Sequence, residues 1–230
     1  CGFPFRGLAG VGVAFNLIMA LRTRLRGKGC FQNGEPNLKN YLDIVALGTI
    51  ADMVPLVDEN RIFARHGLES ITNGGRCGIR ALKDISRVSG NVKSGHISFQ
   101  LAPRINAAGR LDRADIAVKL LTTDNTGEAV MLARELDIEN RARQDIEAEI
   151  LKEATHVIEK EGLKNAILLA SEKWHQGVIG VVASKLVDIY YRPTILISLS
   201  GEIGKGSARG IKAFHILEGL EACKQHLERF

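Results

Sequence analysis

Apolar residues recur at helical spacing between residues 126 and 160, which is the longest periodic segment of the chain. Spacings of three and four residues are typical of one face of a helix. The apolar stripe consists of Leu132, Leu136, Ile146, Ile150, Ala154 and Val157. Between Glu139 and Asp145 the stripe nearly vanishes, and a helix that is polar in its middle often bridges two domains. We therefore expect a connecting helix over residues 126–161, with one folded part on each side of it.

The part before this helix, residues 1–125, is predicted to be mostly helical with few strands. Between residues 7 and 25, side chains at spacings of three and four form one apolar face. That face comprises Val13, Leu17, Ala20, Leu21 and Leu25. Further helices are indicated over residues 38–54, 59–71, 78–88, 94–102 and 114–122. Asn37 and Asp112 are expected to cap two of them.

The part after the connecting helix, residues 162–230, mixes strands and helices. Apolar runs at 166–170 and 193–199 are typical of buried strands, and the residues between them include a helical pattern over 177–189. A strand, a helix and a strand within about 35 residues form a βαβ unit. Residues 204–211 are expected to be a loop or a short strand. The predicted fold class is therefore α/β.

Composition excludes several classes of protein. The chain has no apolar run of the roughly 20 residues that a membrane-spanning helix needs. Its four cysteines form no C-x-x-C pair, so neither a zinc site of the usual spacing nor a disulfide framework is expected. Reduced thiols favour a cytoplasmic protein. Residues 1–40 carry six basic side chains and one acidic one, a bias that either attracts polyanions or reflects an ordinary solvated helix end.

The first candidate for chemistry is Asp52, which lies in the apolar run Ile50-Ala51-Asp52-Met53-Val54. A carboxylate buried there would need a metal ion or another partner. The alternative is an aspartate at a helix end. The sequence contains no D-x-D and no D-H-H, so any further ligands of a metal at Asp52 must lie elsewhere.

The second candidate is a group of polar residues among small ones, Arg104, Asn106 and Arg110. Small neighbours let a ligand approach the backbone, and the guanidinium fork matches phosphate. The alternative is a corner between two helices that carries surface arginines.

The third candidate is the segment 205–210, Lys-Gly-Ser-Ala-Arg-Gly. Its glycines, the Ser207 hydroxyl and the Arg209 guanidinium suit an anion-binding loop, although the Walker spacing is absent. A glycine-rich surface turn is the alternative. His175 precedes the predicted helix of the βαβ unit, where it either contacts an anion at the helix N-terminus or serves in packing or capping.

Six stretches together resemble the RecJ-type single-strand-specific exonucleases of the DHH phosphoesterase superfamily. They are residues 8–14, 48–56, 59–61, 99–111, 174–180 and 205–209, in the order found in that family. The resemblance implies a helix-rich remainder of a DHH domain over 1–125, the connecting helix over 126–161, and a smaller, truncated α/β DHH-associated nucleic-acid-binding domain over 162–230.

The resemblance also implies roles for individual residues. Asp52 would be the catalytic residue that ligates Mn²⁺ or Mg²⁺. Ser207 and Arg209 would hold nucleic-acid phosphate, including the 5′ end. The residues expected to line the nucleic-acid cleft are Arg104, Asn106 and Arg110. Gly210 departs from the family pattern, which usually has serine there, so fewer phosphate contacts are expected at that position.

The implied function is part of a metal-dependent 5′-to-3′ exonuclease that hydrolyses single-stranded DNA in repair and recombination. The family's early aspartates and its Asp-His-His motif would precede Cys1, and its Gly-Gly-His motif would follow Phe230. We therefore expect a fragment that is inactive by itself. Single-stranded DNA is the expected partner, single-strand-binding protein is a further family expectation, and no membrane is expected. The alternatives are a DHH phosphoesterase that cuts short oligoribonucleotides or dinucleotides, and a non-enzymatic nucleic-acid-binding module.

Overall fold

The computed structural model describes residues 3–32, 34–111 and 113–228. The chain forms two compact units, Cys1–Asn140 and Arg141–Phe230. The helices that begin in the first unit are α1 (Gly10–Gly27), α2 (Leu42–Ala51), α3 (Asp58–Thr72), α4 (Cys77–Ile85), α5 (Ser94–His96), α6 (Ala102–Arg110), α7 (Ala114–Thr122) and α8 (Thr126–Glu161). This agrees with the helical pattern predicted for the first part of the chain. Asp112, the predicted cap of α7, lies outside the described residues.

Helix α8 is a single element of 36 residues over the range predicted for a connecting helix. The division between the two units falls inside it, between Asn140 and Arg141. The assignment of the three predicted ranges to named domains stays a prediction. Among the residues that the structure describes, no helix has both the length and the apolar character to span a bilayer.

A buried ion pair holds α2 in the first unit. Arg76 donates from Nε to Oδ2 of Asp43 at 3.0 Å and from Nη2 to Oδ1 at 3.2 Å. Asp43 is only 2% exposed. The same guanidinium donates to the carbonyl oxygens of Leu121 and Asn40. Because every one of these contacts joins distant parts of the chain, the pair ties α2 to the beginning of α4 and to α7.

Glycine lets α2 approach its neighbours closely. A Cβ placed on Gly67 of α3 would lie 2.1 Å from the Leu42 carbonyl oxygen and 2.2 Å from the Ala46 Cβ. On the other side of α2, a Cβ on Gly48 would lie 2.8 Å from a methyl group of Val11 in α1. Helix α2 is therefore packed at short range against both α1 and α3.

Helix α1 is apolar on two faces. Phe15 and Gly12 are buried, and the Phe15 ring meets Phe63 of α3 edge to face, with 5.4 Å between the centroids. The predicted apolar face is a different one, and it is exposed: Val13 is 56%, Leu17 70% and Leu21 52% accessible. The spacing thus identified a helix, but the residues it selected do not contact the core of this unit.

The approach to α6 contains one π-helical turn, Ile97–Leu101. The Ala102 N–H donates to the Ile97 carbonyl oxygen, five residues back. Pro103 follows, and because proline has no N–H, the regular i→i−4 pattern cannot continue there. The Gln100 carbonyl oxygen accepts a hydrogen bond from Nη1 of Arg104 at 2.6 Å.

The second unit contains the predicted βαβ arrangement. Its elements are β1 (Ile167–Ser171), α9 (Ile179–Tyr190), β2 (Thr194–Ser200), β3 (Ile203–Arg209) and α10 (Ile216–Ala222). Strands β1 and β2 are parallel, and β3 is antiparallel to β2, so the sheet order is β1-β2-β3. Thr194 and Leu196 of β2 are fully buried, and they alternate with more accessible residues as expected for a strand with one covered face.

The core of this unit joins α8, α9 and the sheet. Trp174 is 4% exposed, and its indole Nε1–H donates to Oε2 of Glu153 at 2.9 Å. Glu147, which is 5% exposed, accepts from Arg143 and forms an ion pair with Lys185 of α9, each at 2.5 Å. Trp174 is therefore a core residue and not an exposed surface for stacking a base.

Substitution of Gly67 by alanine is expected to destabilise the first unit by about 3 kcal/mol or more, because the new Cβ overlaps backbone and cannot be relieved by a rotamer change. The measurement is the free energy of unfolding from urea titration. Gly27→Ala is the matched control, since nothing lies within 4 Å of its Cβ position. Equal stability of both variants would show that α2 and α3 do not pack this closely.

Candidate functional site

A cavity of about 540 Å³ lies in the first unit, at the start of α1 and the end of α2. Its lining consists of Ala9, Gly10, Val11, Ile44, Leu47, Gly48, Ala51, Asp52, Ala102, Ile105, Asn106 and Leu121. Two predicted site residues, Asp52 and Asn106, therefore lie around one cavity although 54 positions separate them in the chain. The remaining walls are mostly apolar.

Asp52 is at the C-cap of α2 and is exposed. The interpretation as a helix-end aspartate thus describes its position, and the expectation of a carboxylate buried in the apolar run is wrong. The apolar run is helical, so Ile50 turns into the core while Asp52 leaves it. The role of Asp52 as a metal ligand stays a prediction. Within the described ranges no three His, Cys, Asp or Glu side chains are grouped to hold a metal ion.

Arg104 points its guanidinium into the protein. Its Nε donates to Oδ1 of Asp137 in α8 at 2.9 Å, and the two side chains are 18% and 7% exposed. Arg104 therefore ties α6 to α8, and this contact favours a positioning role over direct contact with phosphate. Arg110, at the end of α6, is exposed and makes its own contact within the protein. Neither Arg104 nor Arg110 is among the described residues that line the cavity at Asp52.

Ser207 and Arg209 lie on strand β3, so the expectation of a tight anion-binding loop is wrong in its geometry. Ser207 is paired with Leu196 and Arg209 with Thr194 of β2. Backbone N–H groups that donate to the neighbouring strand are not free to receive an anion. The side chains and the neighbouring helix therefore offer the better donors for a phosphate bound here.

That neighbour is the first turn of α9. A Cβ on Gly180 would lie 2.8 Å from the Ser207 hydroxyl oxygen and 3.1 Å from Nη2 of Arg209. Arg209 donates from Nε to the Ser184 hydroxyl at 3.0 Å and from Nη1 to the Ala208 carbonyl oxygen at 2.7 Å. These contacts fix the guanidinium beside the first turn of α9, where the N–H groups of Val178 and Ile179 donate to the His175 carbonyl oxygen and that of Val181 donates to the Val178 carbonyl oxygen.

His175 lies just before α9 and is half-buried. Its Nδ1 accepts a hydrogen bond from the Gly177 N–H at 3.1 Å. With Nδ1 as the acceptor, the neutral ring carries its proton on Nε2. His175 therefore caps the turn, as one interpretation of the sequence proposed, and retains one donor for a ligand. His175 also lines a second cavity, and neither Ser207 nor Arg209 is in the lining of that cavity.

Gly210 lacks the serine hydroxyl that the resemblance leads us to expect. A Cβ on Gly210 would lie 3.2 Å from both the Ile216 Cβ and the Phe214 carbonyl oxygen. The chain passes close to the start of α10 at this point, and glycine fits that approach without displacement.

The basic segment near the N-terminus is partly compensated within the protein. Arg26 donates from Nε and Nη2 to the Glu35 carboxylate. The hydrogen bond from Arg26 lowers the pKa of Glu35 below its ordinary value, and the charges of Arg26 and Arg22 act in the same direction against a desolvation cost. Arg22 also donates to the Pro36 carbonyl oxygen at 3.3 Å. The excess of positive charge over residues 1–40 is therefore only in part available to a polyanion.

The fold and the site together define a class of protein. It is an α/β protein with a helical unit that presents a carboxylate at a cavity, and with a small mixed sheet that places an arginine and a serine at a helix N-terminus. No protein-family model matches the chain. The chain is 43% identical over 234 residues to the single-stranded-DNA-specific exonuclease RecJ of Bacillus subtilis, and 45% identical over 233 residues to that of Salmonella typhimurium.

These matches cover 100% and 96% of this chain but only 28% and 40% of the two relatives. The crystal structure of RecJ from Thermus thermophilus in complex with Mg²⁺ superposes with a TM-score of 0.85 at 34% identity, over 99% of this chain and 34% of that one. Its complex with Mn²⁺ gives a TM-score of 0.83 at 36% identity, over 95% and 31%. The chain belongs to the RecJ family and spans about a third of the length of these relatives.

Several residues of the site were not identified from the sequence. Gly180 and Ser184 are one helical turn apart on α9, and both contact Arg209 or the space around it. The spacing of four between Gly180 and Ser184 can be read from the sequence. The sequence does not show that Arg209 reaches this face of α9, because it allows either a loop or a short strand over residues 204–211. Asp137, the partner of Arg104, gave no signal, since an acidic residue in the polar middle of a long helix is ordinary.

Arg104→Ala is expected to destabilise the chain by about 2 kcal/mol, because it removes a charged hydrogen-bond donor from the buried Asp137 carboxylate. The double variant Arg104→Ala, Asp137→Ala should recover part of this loss, and urea unfolding of the unaltered chain, the two single variants and the double variant measures the coupling. If Arg104→Ala instead unfolds like the unaltered chain and only weakens nucleic-acid binding, the guanidinium contacts phosphate as the sequence predicted.

Proposed function

We propose that this chain is part of a metal-dependent 5′-to-3′ exonuclease for single-stranded DNA, and that its second unit holds the phosphate of the strand. The observation that carries the proposal is the cradle formed by Ser207, Arg209 and Gly180. Family membership supports the same conclusion, since the RecJ relatives are named single-stranded-DNA-specific exonucleases. A role of such an enzyme in repair and recombination belongs to this proposal.

The side chains of the cradle bind and orient phosphate. Arg209 offers Nη2 toward the space above Gly180, and its charge is fixed because Ser184 and Ala208 hold the rest of the guanidinium. Ser207 adds a hydroxyl that can donate to a phosphate oxygen. The missing side chain at Gly180 lets Ser207 and Arg209 approach the start of α9 closely. A guanidinium fork that is held in place by hydrogen bonds is a strong arrangement for phosphate.

Asp52 contributes at most one metal ligand, and a divalent ion in a hydrolytic site takes several. The described residues therefore do not make a complete metal site. The metal-bound structures of the Thermus thermophilus protein support Mn²⁺ or Mg²⁺ as the ion. We propose that Asp52 joins ligands from parts of the protein that this chain does not contain, and that Asn106 lies beside the substrate at the same cavity.

Location and a further partner complete the proposal. We propose a cytoplasmic protein, and the free thiols of Cys30, Cys77 and Cys223 support a reducing compartment. A single-strand-binding protein is proposed as a partner on the family resemblance alone.

The chain is expected to bind a 5′-phosphorylated single-stranded oligonucleotide more tightly than the same strand without the phosphate and more tightly than duplex. Arg209→Ala should remove this preference and weaken binding about tenfold, since hydrogen bonds to charged groups contribute about 1.5–3 kcal/mol. Fluorescence anisotropy measures the affinities. Arg192→Ala is the control, because the Arg192 guanidinium contacts only the Tyr191 carbonyl oxygen in the described chain. An Arg209→Ala chain that keeps the full preference of the unaltered chain would contradict the proposal.

The chain alone is expected to show no nuclease activity with Mn²⁺ or Mg²⁺, because one carboxylate cannot position a metal ion for hydrolysis. Release of acid-soluble nucleotides from labelled single-stranded DNA measures this. Metal-dependent degradation that is abolished in Asp52→Asn but kept in Asp58→Asn, an exposed aspartate at the start of α3, would show that the expectation of an inactive fragment is wrong.

A further inference from the structure

Strand β3 carries a third polar side chain on the face that holds Ser207 and Arg209. In a strand, successive side chains alternate between the two faces, so Lys205, Ser207 and Arg209 lie on the same side. Their Cα positions are about 7 Å apart from one to the next, twice the rise per residue of an antiparallel strand. The strand therefore presents an ammonium, a hydroxyl and a guanidinium in one row.

A cavity of about 440 Å³ lies at the Lys205 end of this row. Its lining consists of Glu172, Trp174, His175, Gln176, Ser198, Leu199, Ser200, Ile203 and Lys205. Lys205 pairs with Ser198 of β2 in the sheet, and the Ser198 hydroxyl donates to the Trp174 carbonyl oxygen at 2.5 Å. The cavity is thus built by the strand pair on one side and by the turn before α9 on the other, inside one compact unit.

Two donors in this cavity are available to a ligand. Lys205 is exposed, and among the described residues its ammonium has neither an ion-pair partner nor a hydrogen-bond acceptor. His175 lines the same cavity with Nδ1 already accepting from the Gly177 N–H, so its proton is on Nε2. A lysine and a histidine donor beside a polar cavity form a site for an anion.

Glu172 sets the charge that the cavity accepts. Among the described residues it is the one acid in the lining, and its negative charge opposes a doubly charged terminal phosphate more than a singly charged phosphodiester. The Ser207–Arg209 cradle has no acidic side chain among its contacts within the described part of the chain. The two ends of the row therefore differ in the phosphate they favour.

We propose that Lys205 and His175 form a second phosphate subsite, which holds a backbone phosphodiester next to the phosphate bound by Ser207 and Arg209. This inference rests on the proposed function, since it assigns the second contact along the same strand. The spacing of the row along β3 suits successive phosphates of an extended single strand, and a positively charged groove that follows the backbone is how single strands are held without regard to sequence.

The test compares 5′-phosphorylated thymidylates of one and six nucleotides, because only the longer one carries phosphodiesters. Lys205→Ala should weaken binding of the hexanucleotide about fivefold and reduce the salt slope of log affinity by about 0.7, the value for one phosphate contact on a single strand. Binding of the mononucleotide should stay unchanged. Lys205→Arg should keep the slope, and Lys173→Ala, which removes an exposed lysine outside the cavity lining, should behave as the unaltered chain.

Arg209→Ala separates this inference from the proposed function. If it weakens both ligands while Lys205→Ala changes neither affinity nor salt slope, the second subsite is overturned and the cradle stands. If Lys205→Ala weakens both ligands equally, Lys205 belongs to the cradle and the assignment to a separate subsite is wrong. If the unaltered chain binds neither ligand, the subsite and the proposed function are overturned together.

Discussion

The buried pair between Asp43 and Arg76 fixes the helix that ends at Asp52, the candidate metal ligand of the first unit. Asp43 lies in the first turn of α2 and Asp52 follows its end, so the orientation of α2 decides where the Asp52 carboxylate leaves the core. A carboxylate that is 2% exposed is tolerated because the guanidinium meets it at two points and the N–H groups of Ile44 and Arg76 also donate to it. The pair does not itself add much net stability. Its effect is to permit one arrangement of α2, α4 and α7 and to exclude others, in which either charge would be buried without a partner.

The Ser207–Arg209 cradle of the second unit is held in a similar way, although its arginine is less buried. Arg209 is exposed, yet three of its contacts are to β3 and α9. A guanidinium that is already held loses little conformational freedom when phosphate arrives, and this reduces the entropic cost of binding. Glycine at position 180 is essential to the arrangement, because a Cβ there would lie 2.8 Å from the Ser207 hydroxyl oxygen and 3.1 Å from Nη2 of Arg209.

Local patterns predicted the elements well and the contacts between them poorly. The parallel pair β1 and β2 followed from two apolar runs with a helical segment between them, which is a signal within about 35 residues of sequence. The sequence allows either a loop or a strand over the residues of β3, since glycine has low strand propensity. Only the pairing with β2 stabilises the strand. Asp43 and Arg76 are 33 positions apart, and neither sits in a motif, so no periodicity could connect them. Of the two interpretations of Asp52, only the aspartate at a helix end describes its position. The apolar run alone could not decide between them, because it does not show which of its residues face the core.

The proposed phosphate contacts and the proposed metal ligand lie in different units of the chain, so the two proposals are separable. The residues that suit phosphate, Ser207, Arg209 and Lys205, all lie in Arg141–Phe230, which has its own core of α8, α9 and sheet residues. The carboxylate that suits a metal lies in the other unit, in Cys1–Asn140. The proposed recognition of the strand therefore requires only that the small sheet and α9 fold together, whereas the proposed hydrolysis requires Asp52 and further ligands to be assembled. On this proposal an affinity for phosphate persists in this chain without the capacity to cut, because the row along β3 contacts the charge of the strand and not its sequence.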